Sequence, residues 1–386
     1  MQIAPRAGTA APLRVMVVVS ALGYGGAETQ VVELANSVDP GELDLHVCSL
    51  SPYVPQANRL RSPERLHIVR KRWRFDVTVV PRLARLLRNL RIDVVHGFLF
   101  DAEIAAALAG RLAGVRAVVG SERNASYELS RIQRLAYRMT RSCFDRIVAN
   151  SQAGAVFNRR VLGFPADHYR VVRNGVDTTR FRPVDAMATR TSLGLAPTTP
   201  VIGMFASLKP QKNHPLLLRA ARAILDALPD ARFLFVGDIL PGGKHGSNDY
   251  ARNVQDSVDE LGLRSACQFL GNRTDLPELY SSCDLTVLPS LFEGTPNAVL
   301  ESLACGCPVV ATDVADNALI VPDRQVGRVV PSNDQEALSR AIVEILTVPG
   351  YRATLAANAR AWAEREFSLH ALSTHMAKVY FELAGA

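Results

Sequence analysis

Residues 288–310 read LPSLFEGTPNAVLESLACGCPVV, and this stretch decides how the second half of the chain folds. An apolar run ends at Leu288, a Glu-Gly-Thr-Pro-Asn loop follows, and a helix-periodic apolar segment ends at Gly306 before another apolar run. The pattern predicts a strand, a loop, a short helix and a second strand. Thr295 is the predicted N-cap of that helix and Pro296 its first residue. The free N–H groups and positive dipole end of such a helix suit a phosphate.

Two glutamates flank the predicted helix start. Glu293 lies just before it, and Glu301 lies about a turn and a half into the helix. A diphosphate at the helix end would leave Glu293 near the group attached beyond the phosphates, and Glu301 could reach ribose hydroxyls. A capped surface helix with two solvated glutamates has the same spacing, so spacing alone leaves both interpretations open.

The whole string resembles the donor-binding signature of family 4 glycosyltransferases, a retaining group with the GT-B fold. In that signature two glutamates eight positions apart are followed by a small-residue helix and Gly-x-Pro-Val. The matching positions are Glu293, Gly294, Pro296, Asn297, Glu301, Gly306, Pro308 and Val309. The resemblance implies donor contacts from Gly294, Thr295, Pro296, Asn297 and Glu301, with Glu293 as a catalytic residue.

Length and composition indicate a globular protein of two domains. The 386 residues exceed what one core usually fills, and 48% apolar with 21% charged residues excludes disordered and coiled-coil proteins. Six scattered cysteines lack zinc-ligand spacing, and the absence of a signal-peptide pattern predicts a cytoplasmic location. No stretch reaches the ~18 apolar residues of a membrane span.

The first strand-loop-helix unit carries a glycine-rich loop. A β-branched run from Leu13 to Ser20 precedes Gly25 and Gly26, and an apolar-periodic helix is predicted from Thr29. This is the geometry by which doubly wound α/β domains approach phosphates, although the Gly-x-Gly-x-x-Gly pattern of a dinucleotide site is missing. Family 4 has Gly-Gly-Ala-Glu here, which implies that Gly25 and Gly26 face the donor from the opposite domain. A tight strand-to-helix turn would also explain the glycines.

Strands alternate with helices in both halves of the chain, which predicts an α/β fold with parallel sheets. Together with the resemblance, this predicts two facing Rossmann-like domains (GT-B) with a cleft between them. The predicted boundaries are a disordered tail (1–12), an acceptor-side domain (13–176), a linker (177–199), a nucleotide-sugar-binding domain (200–365) and a C-terminal helix that returns to the first domain (366–386).

A lysine-containing loop follows the first strand of the second domain. Lysines that enter a helix can neutralise a departing diphosphate without a metal, and the chain has no Asp-x-Asp motif. Family 4 usually has an arginine and a lysine here. Lys212 matches the lysine, Ser207 stands at the arginine position, and we expect Lys209 to substitute for it. A lysine pair on a solvated loop is the alternative.

The resemblance implies further site residues in both domains. Arg273 and Leu276 lie in a turn that matches the base-binding turn of the family, although an ordinary turn would look alike. Arg123 aligns with a family histidine near the donor sugar. Arginine cannot act as a base at neutral pH, so its role would be electrostatic or in binding. The acceptor-side candidates are His96, Asp101 and Asn124, and for His96 a core or cleft-rim position is the favoured alternative.

Positive charge is confined to the first domain. Residues 1–176 hold 25 Lys and Arg against 14 Asp and Glu, a net charge of +11, so the remainder contributes −4 to the total of +7. Arginines recur on two predicted helices, 82–88 and 131–141, and 70–75 interleaves cations with aromatic residues. Each cation near an anionic leaflet contributes about 1 kcal/mol, which predicts peripheral attachment to the inner face of the membrane. Solvated arginines are the alternative, and no nucleic-acid-binding motif accompanies the charge.

The predicted activity is retaining, metal-independent hexosyl transfer from a UDP- or GDP-sugar to a glycan or lipid-linked acceptor, in cell-surface polysaccharide or glycolipid synthesis. The predicted catalytic residues are Glu293, Lys212 and Arg123, and no cofactor or metal is expected. A GT-B-fold sugar-nucleotide epimerase is one alternative, because it would share the architecture. A non-catalytic nucleotide-sugar-binding protein is the other, because Ser207 and Arg123 depart from the family pattern.

Overall fold

A computed structural model describes residues 11–73, 76–124, 129–239 and 247–385 of the chain. Most of the predicted tail, most of the loop 238–248, and Arg74 with Phe75 of the cation-aromatic segment lie outside these ranges. Within them the chain forms two α/β domains, each built on one parallel sheet, so the predicted fold class is confirmed. In the same ranges no helix is both long and apolar enough to cross a membrane.

The first domain contains a seven-stranded parallel sheet with the order β3-β2-β1-β4-β5-β6-β7. Its strands are β1 (Leu13–Val19), β2 (Leu43–Ser49), β3 (Leu66–Ile68), β4 (Val94–Phe98), β5 (Ala117–Glu122), β6 (Arg146–Ala149) and β7 (Tyr169–Val171). Its helices are α1 (Gly26–Ser37), α2 (Val79–Asn89), α3 (Phe100–Ala113), α4 (Arg131–Thr140) and α5 (Gln152–Leu162). The central strands are buried on both faces, because β-branched runs such as Val15 to Val19 pack beneath helices on each side.

The second domain contains a six-stranded parallel sheet with the order β10-β9-β8-β11-β12-β13. Its strands are β8 (Val201–Phe205), β9 (Arg232–Val236), β10 (Cys267–Gly271), β11 (Leu285–Leu288), β12 (Val309–Thr312) and β13 (Gly327–Val330). Helix α6 (Met187–Ser192) precedes this sheet. The helices after it are α7 (His214–Ala227), α8 (Ser247–Glu260), α9 (Leu276–Ser282), α10 (Asn297–Ala304), α11 (Asn317–Ile320), α12 (Gln335–Thr347) and α13 (Tyr351–Glu366), and α14 (Leu369–Ala384) is the last helix.

The chain passes between the domains at two adjacent places. Val176 N–H donates to the Phe367 carbonyl at 2.7 Å, just before α14 begins. This last helix packs against the first domain, where Leu372, Met376 and Tyr380 belong to the same apolar cluster as the residues of β1 and α1. In each sheet the carboxyl ends of parallel strands share one edge, and polar contacts between the loops at these two edges join the domains.

Candidate active site

A buried ion pair forms the centre of the site. Glu293 lies in the loop after β11, and its Oε1 accepts hydrogen bonds from Lys212 Nζ at 2.5 Å and from Ser290 Oγ at 2.7 Å. The Lys212 side chain is 15% exposed and that of Glu293 is 7% exposed. Because β8 and β11 are neighbours in the sheet, the loops that follow them bring the two residues together. Two donors therefore fix the orientation of the Glu293 carboxylate.

Lys209 lies in the same loop as Lys212 and is half-buried. Burial lowers its pKa, the Lys212 charge lowers it further, and the nearby Glu293 carboxylate opposes both effects. Among the described residues Lys209 forms no ion pair, and Ser207 stands two residues before it, also half-buried. The loop therefore holds two cations near Glu293, of which only Lys212 is paired with it.

The predicted cap at Thr295 is wrong. Helix α10 begins at Asn297, one residue later than the predicted N-cap implied, and Pro296 precedes it in an extended conformation. Thr295 Oγ1 donates to the carbonyl of Asn150 in the first domain at 2.5 Å, so it is not available to the N–H groups of its own helix. A buried carbonyl after β6 lies within reach of the hydroxyl, and the side chain joins the domains instead of capping the helix.

Gly294 lies at a close approach of the two domains. A Cβ atom built at Gly294 would lie 2.7 Å from the Arg123 carbonyl oxygen and 2.5 Å from Asn150 Oδ1. Both distances are shorter than real Cβ contacts, and one of the atoms belongs to backbone. The sequence signature therefore needs glycine here because a side chain would push the first domain away.

Asn297 connects α10 to the glycine loop of the first domain. Its Nδ2 donates to the Gly26 carbonyl at 3.2 Å. Its Oδ1 accepts from Asn174 Nδ2 at 2.8 Å and from Gln30 Nε2 at 3.3 Å. Gly25 is the residue that precedes α1, and Gly26 is the first residue of that helix. The structure thus brings the two predicted donor-binding segments, one from each domain, into direct contact.

Arg123 follows β5 at the domain interface. Its guanidinium lies 4.2 Å from the centroid of the Phe98 ring, and Nη1 donates to Asn174 Oδ1 at 3.4 Å. Among the residues that the structure describes, the buried Arg123 Nε has no hydrogen-bond partner. Burial lowers its pKa to about 10, with nearby acidic groups opposing the shift. Arg123 therefore stays charged at neutral pH, and one of its donors is unused.

His96 does not face the cleft, which contradicts its assignment to the acceptor side. The ring is fully buried, with Nδ1 2.8 Å from Tyr380 Oη and Nε2 2.8 Å from Ser121 Oγ. Burial, with the Arg123 charge as a further cause, holds its pKa well below the ordinary value, so the ring is neutral. The alternative of a core position is therefore correct. Tyr380 of α14 occupies His96 Nδ1, so this nitrogen is not available to a sugar acceptor.

The two other acceptor-side candidates lie at the ends of neighbouring strands. Asp101 is in the first turn of α3 and forms an ion pair with Lys71 Nζ at 3.1 Å, and its side chain is half exposed. Asn124 donates its backbone N–H to Glu122 Oε1, and its buried Oδ1 has no hydrogen-bond partner within the described ranges. Asn124 therefore retains an acceptor atom for a ligand hydroxyl, whereas Asp101 is already paired.

The predicted base and ribose contacts lie on the second domain. Arg273 forms two hydrogen bonds with Asp275, at 2.8 Å and 2.5 Å, and Leu276 begins α9. Glu301 accepts from Tyr280 Oη at 2.9 Å, and burial raises the pKa of its carboxyl. The two bonds to Asp275 therefore fix the orientation of the Arg273 guanidinium. In the described ranges no three His, Cys, Asp or Glu side chains converge as metal ligands.

Several residues of the site were missed by reasoning from the sequence. Ser290, Gln30, Asn150 and Asn174 all make polar contacts within or between the domains. Asn150 directly follows a buried strand, which is the signal that could have indicated it. Glu103 is buried near Arg123, where it accepts from Tyr137 Oη at 2.6 Å, and burial raises its pKa to about 8.

Two Rossmann-like domains joined across the carboxyl edges of their sheets define a GT-B protein, and the structure shares this fold with solved glycosyltransferases. Two family models match the sequence, "Glycosyltransferase Family 4" over residues 24–180 and "Glycosyl transferases group 1" over residues 186–362. Together they match nearly the whole chain, and the chain belongs to the family 4 glycosyltransferases.

Relatives and a solved structure extend the comparison. The chain is 33% identical over 245 residues to D-inositol 3-phosphate glycosyltransferase of Saccharomonospora viridis, a match that covers 63% of this chain and only 56% of that protein. It is 28% identical over 280 residues to UDP-Gal:alpha-D-GlcNAc-diphosphoundecaprenol alpha-1,3-galactosyltransferase of Escherichia coli, with 70% of each chain covered. The crystal structure of Anabaena HepE in complex with UDP is similar over 96% of this chain and all of HepE, with a TM-score of 0.84 and 21% identity.

Proposed function

We propose that the protein is a retaining glycosyltransferase that moves a hexose from a UDP- or GDP-sugar to a glycan or lipid-linked acceptor. The Lys212–Glu293 ion pair at the edge that faces the first domain is the observation that carries the proposal. The E. coli relative acts on a diphosphoundecaprenol-linked sugar, and HepE was crystallised with UDP. These names support a nucleotide-sugar donor and a role in cell-surface polysaccharide or glycolipid synthesis.

Lys212 would hold the departing diphosphate together with the N–H groups at the start of α10. An ammonium in a water-poor cleft stabilises developing phosphate charge strongly, and the proposal requires neither a cofactor nor a metal. Lys209 would add charge to the diphosphate in place of the arginine that Ser207 replaces. Donor binding would displace part of the Lys212–Glu293 contact, which frees the carboxylate for the sugar.

Glu293 would orient the donor sugar, and Arg123 would bind it from the first domain through its unused Nε. Gly25 and Gly26 would let the backbone approach the diphosphate, and Glu301 would accept from ribose hydroxyls. The bond between the anomeric carbon and the diphosphate oxygen breaks while the acceptor oxygen bonds to that carbon on the same face. The acceptor proton passes to the leaving diphosphate, so charge and atoms balance.

Donor turnover with and without acceptor tests this proposal against its rivals. The protein would be incubated with UDP- and GDP-sugars, with and without a membrane extract, and donor consumption and nucleotide release would both be measured. We expect release that depends on the acceptor. Equal turnover without acceptor would favour a sugar-nucleotide epimerase or hydrolase, and binding without turnover would favour a nucleotide-sugar-binding protein. Both results would contradict the proposal.

We also propose that the protein attaches peripherally to the cytoplasmic face of an anionic membrane through α4. This helix exposes Ile132, Leu135 and Met139, each more than half exposed. The arginines of the same helix, Arg131, Arg134 and Arg138, are exposed as well. Apolar side chains flanked by cations are typical of helices that lie on a lipid surface.

The structure narrows the basic surface predicted from the sequence. Tyr137 of α4 is buried against Glu103 and does not contribute to the exposed face. On α2, Arg82 forms an ion pair with Asp76 at 2.7 Å, so its charge is partly neutralised.

Sedimentation with vesicles of rising anionic lipid content should recover the protein in the pellet at low salt and release it at high salt. Equal recovery in the supernatant at every composition would contradict the attachment.

A further inference from the structure

A cavity of about 380 Å³ lies between the end of β7 and helix α14, and we name it the β7–α14 cavity. Its ionisable lining consists of Arg170, Arg173, His375, Lys378, Glu366 and Glu382. The residues assigned above to the donor, Lys212, Glu293 and Glu301, do not line it. Its volume falls within the range of small-molecule sites and exceeds what a single phosphate fills.

Both carboxylates that line this cavity already form ion pairs with arginines. Glu382 lies 3.8 Å from Arg170, and Glu366 Oε1 accepts from Arg365 Nε at 2.8 Å. The lining contains three Lys or Arg side chains. Among the described residues only Arg170 forms an ion pair, so the other two have no carboxylate partner.

These two cations are Arg173 and Lys378. Over the described parts of the chain neither forms an ion pair, and the buried Arg173 Nε has no hydrogen-bond partner at all. A buried donor without a partner costs free energy, because it has lost its water and gained nothing in return. The two cations also lack a carboxylate partner among the described residues, and an anion in the cavity would balance their charge. The planar fork of donors on a guanidinium suits phosphate oxygens, and an ammonium adds a second charge.

We propose that the β7–α14 cavity binds a small phosphate-bearing molecule, with its phosphate between Arg173 and Lys378. The remaining volume would take the group that carries the phosphate, against the apolar surface of Val172 and Leu372. The site adjoins the passage of the chain between the domains, because Asn174 lines the cavity and also donates to the Thr295 carbonyl at 2.9 Å. This proposal does not depend on the glycosyl-transfer activity.

Titration with inorganic phosphate, followed by calorimetry on the full-length protein, tests the site. We expect Arg173→Ala and Lys378→Gln each to weaken binding roughly tenfold or more, because each removes a charge-assisted contact. Arg85→Ala is the matched control, since it removes an exposed arginine of α2 outside the cavity and should leave the affinity unchanged.

Lys212→Ala distinguishes this site from the donor site, which would also attract phosphate. Under the proposal phosphate still binds the Lys212→Ala variant, and adding Arg173→Ala to that variant weakens this binding roughly tenfold or more. Absence of phosphate binding by the wild-type protein, loss of binding in Lys212→Ala, or unchanged affinity in both cavity variants would each overturn it. Lys378 is exposed on α14, so its variant should fold even where Arg173→Ala does not.

Discussion

Removal of the Lys212 ammonium should lower both stability and donor affinity, whereas removal of the neighbouring Lys209 should leave stability unchanged and lower donor affinity less. Lys212→Ala removes one of the two donors to the Glu293 carboxylate. The carboxylate stays buried, and the Ser290 hydroxyl is the donor of the two that remains. A buried ion pair that loses one member typically costs about 3–5 kcal/mol. We expect the lower end, because Ser290 still donates and Lys209 carries charge nearby.

A loss of about 3 kcal/mol corresponds to a decrease in Tm of roughly 6–12 °C for a domain of this size. Donor affinity should fall as well, because a charge-assisted contact to phosphate contributes about 1.5–3 kcal/mol, or one to two powers of ten in Kd. Thermal unfolding without ligand measures the first effect. Calorimetric titration with UDP- and GDP-sugars measures the second.

Lys209→Ala is the matched control, since it removes a cation from the same loop without leaving a carboxylate unpaired. Its Tm should stay near that of the wild-type protein, and its Kd for the donor should rise less than that of Lys212→Ala. Equal effects of the two substitutions on Kd would refute the reasoning and would show that Lys209 has taken over the main contact to the diphosphate. An unchanged Tm in Lys212→Ala would contradict the energetic importance of the ion pair.

Three further variants test other parts of the site. Glu293→Gln should keep donor binding and lose most turnover, because its charge would act where charge develops on the sugar; unchanged kcat would contradict this role. Gly294→Ala should separate the domains and cost about 1–3 kcal/mol, since its methyl group overlaps the Arg123 carbonyl; normal activity and Tm would contradict the close approach. Glu103 has a raised pKa of about 8, so its ionisation makes the folded state less stable as pH rises from about 4.5 to 8. Glu103→Gln should therefore gain stability relative to wild type from pH 5 to pH 9, and a pH-independent difference in denaturant unfolding would contradict that.

The fold could be predicted because its signals are local. β-Branched runs such as Val15 to Val19 indicate strands buried on both faces, and their alternation with helices leaves few topologies. Glu293 could be singled out for a similar reason, since the loop that holds it lies within one strand-loop-helix unit. Each of these features depends on residues that are close together in the chain.

The errors concern side chains whose partners are distant in sequence. Thr295 is a good N-cap by type, but its hydroxyl donates to Asn150, 145 positions away. His96 is an acceptor-side candidate for which a core position is the favoured alternative, and it lies within β4, hydrogen-bonded to Tyr380 of α14, 284 positions away. A single sequence does not show which carbonyl or hydroxyl the other domain presents, so neither contact could be predicted.

The anomeric configuration of the product tests the central claim most directly. Proton NMR during incubation with the matching nucleotide sugar and a membrane extract would report donor consumption and the new glycosidic linkage together. Retaining transfer predicts that the donor is consumed only when acceptor is present, and that the new linkage has the same anomeric configuration as the donor. An inverted linkage, or donor consumption at the same rate without acceptor, would contradict it.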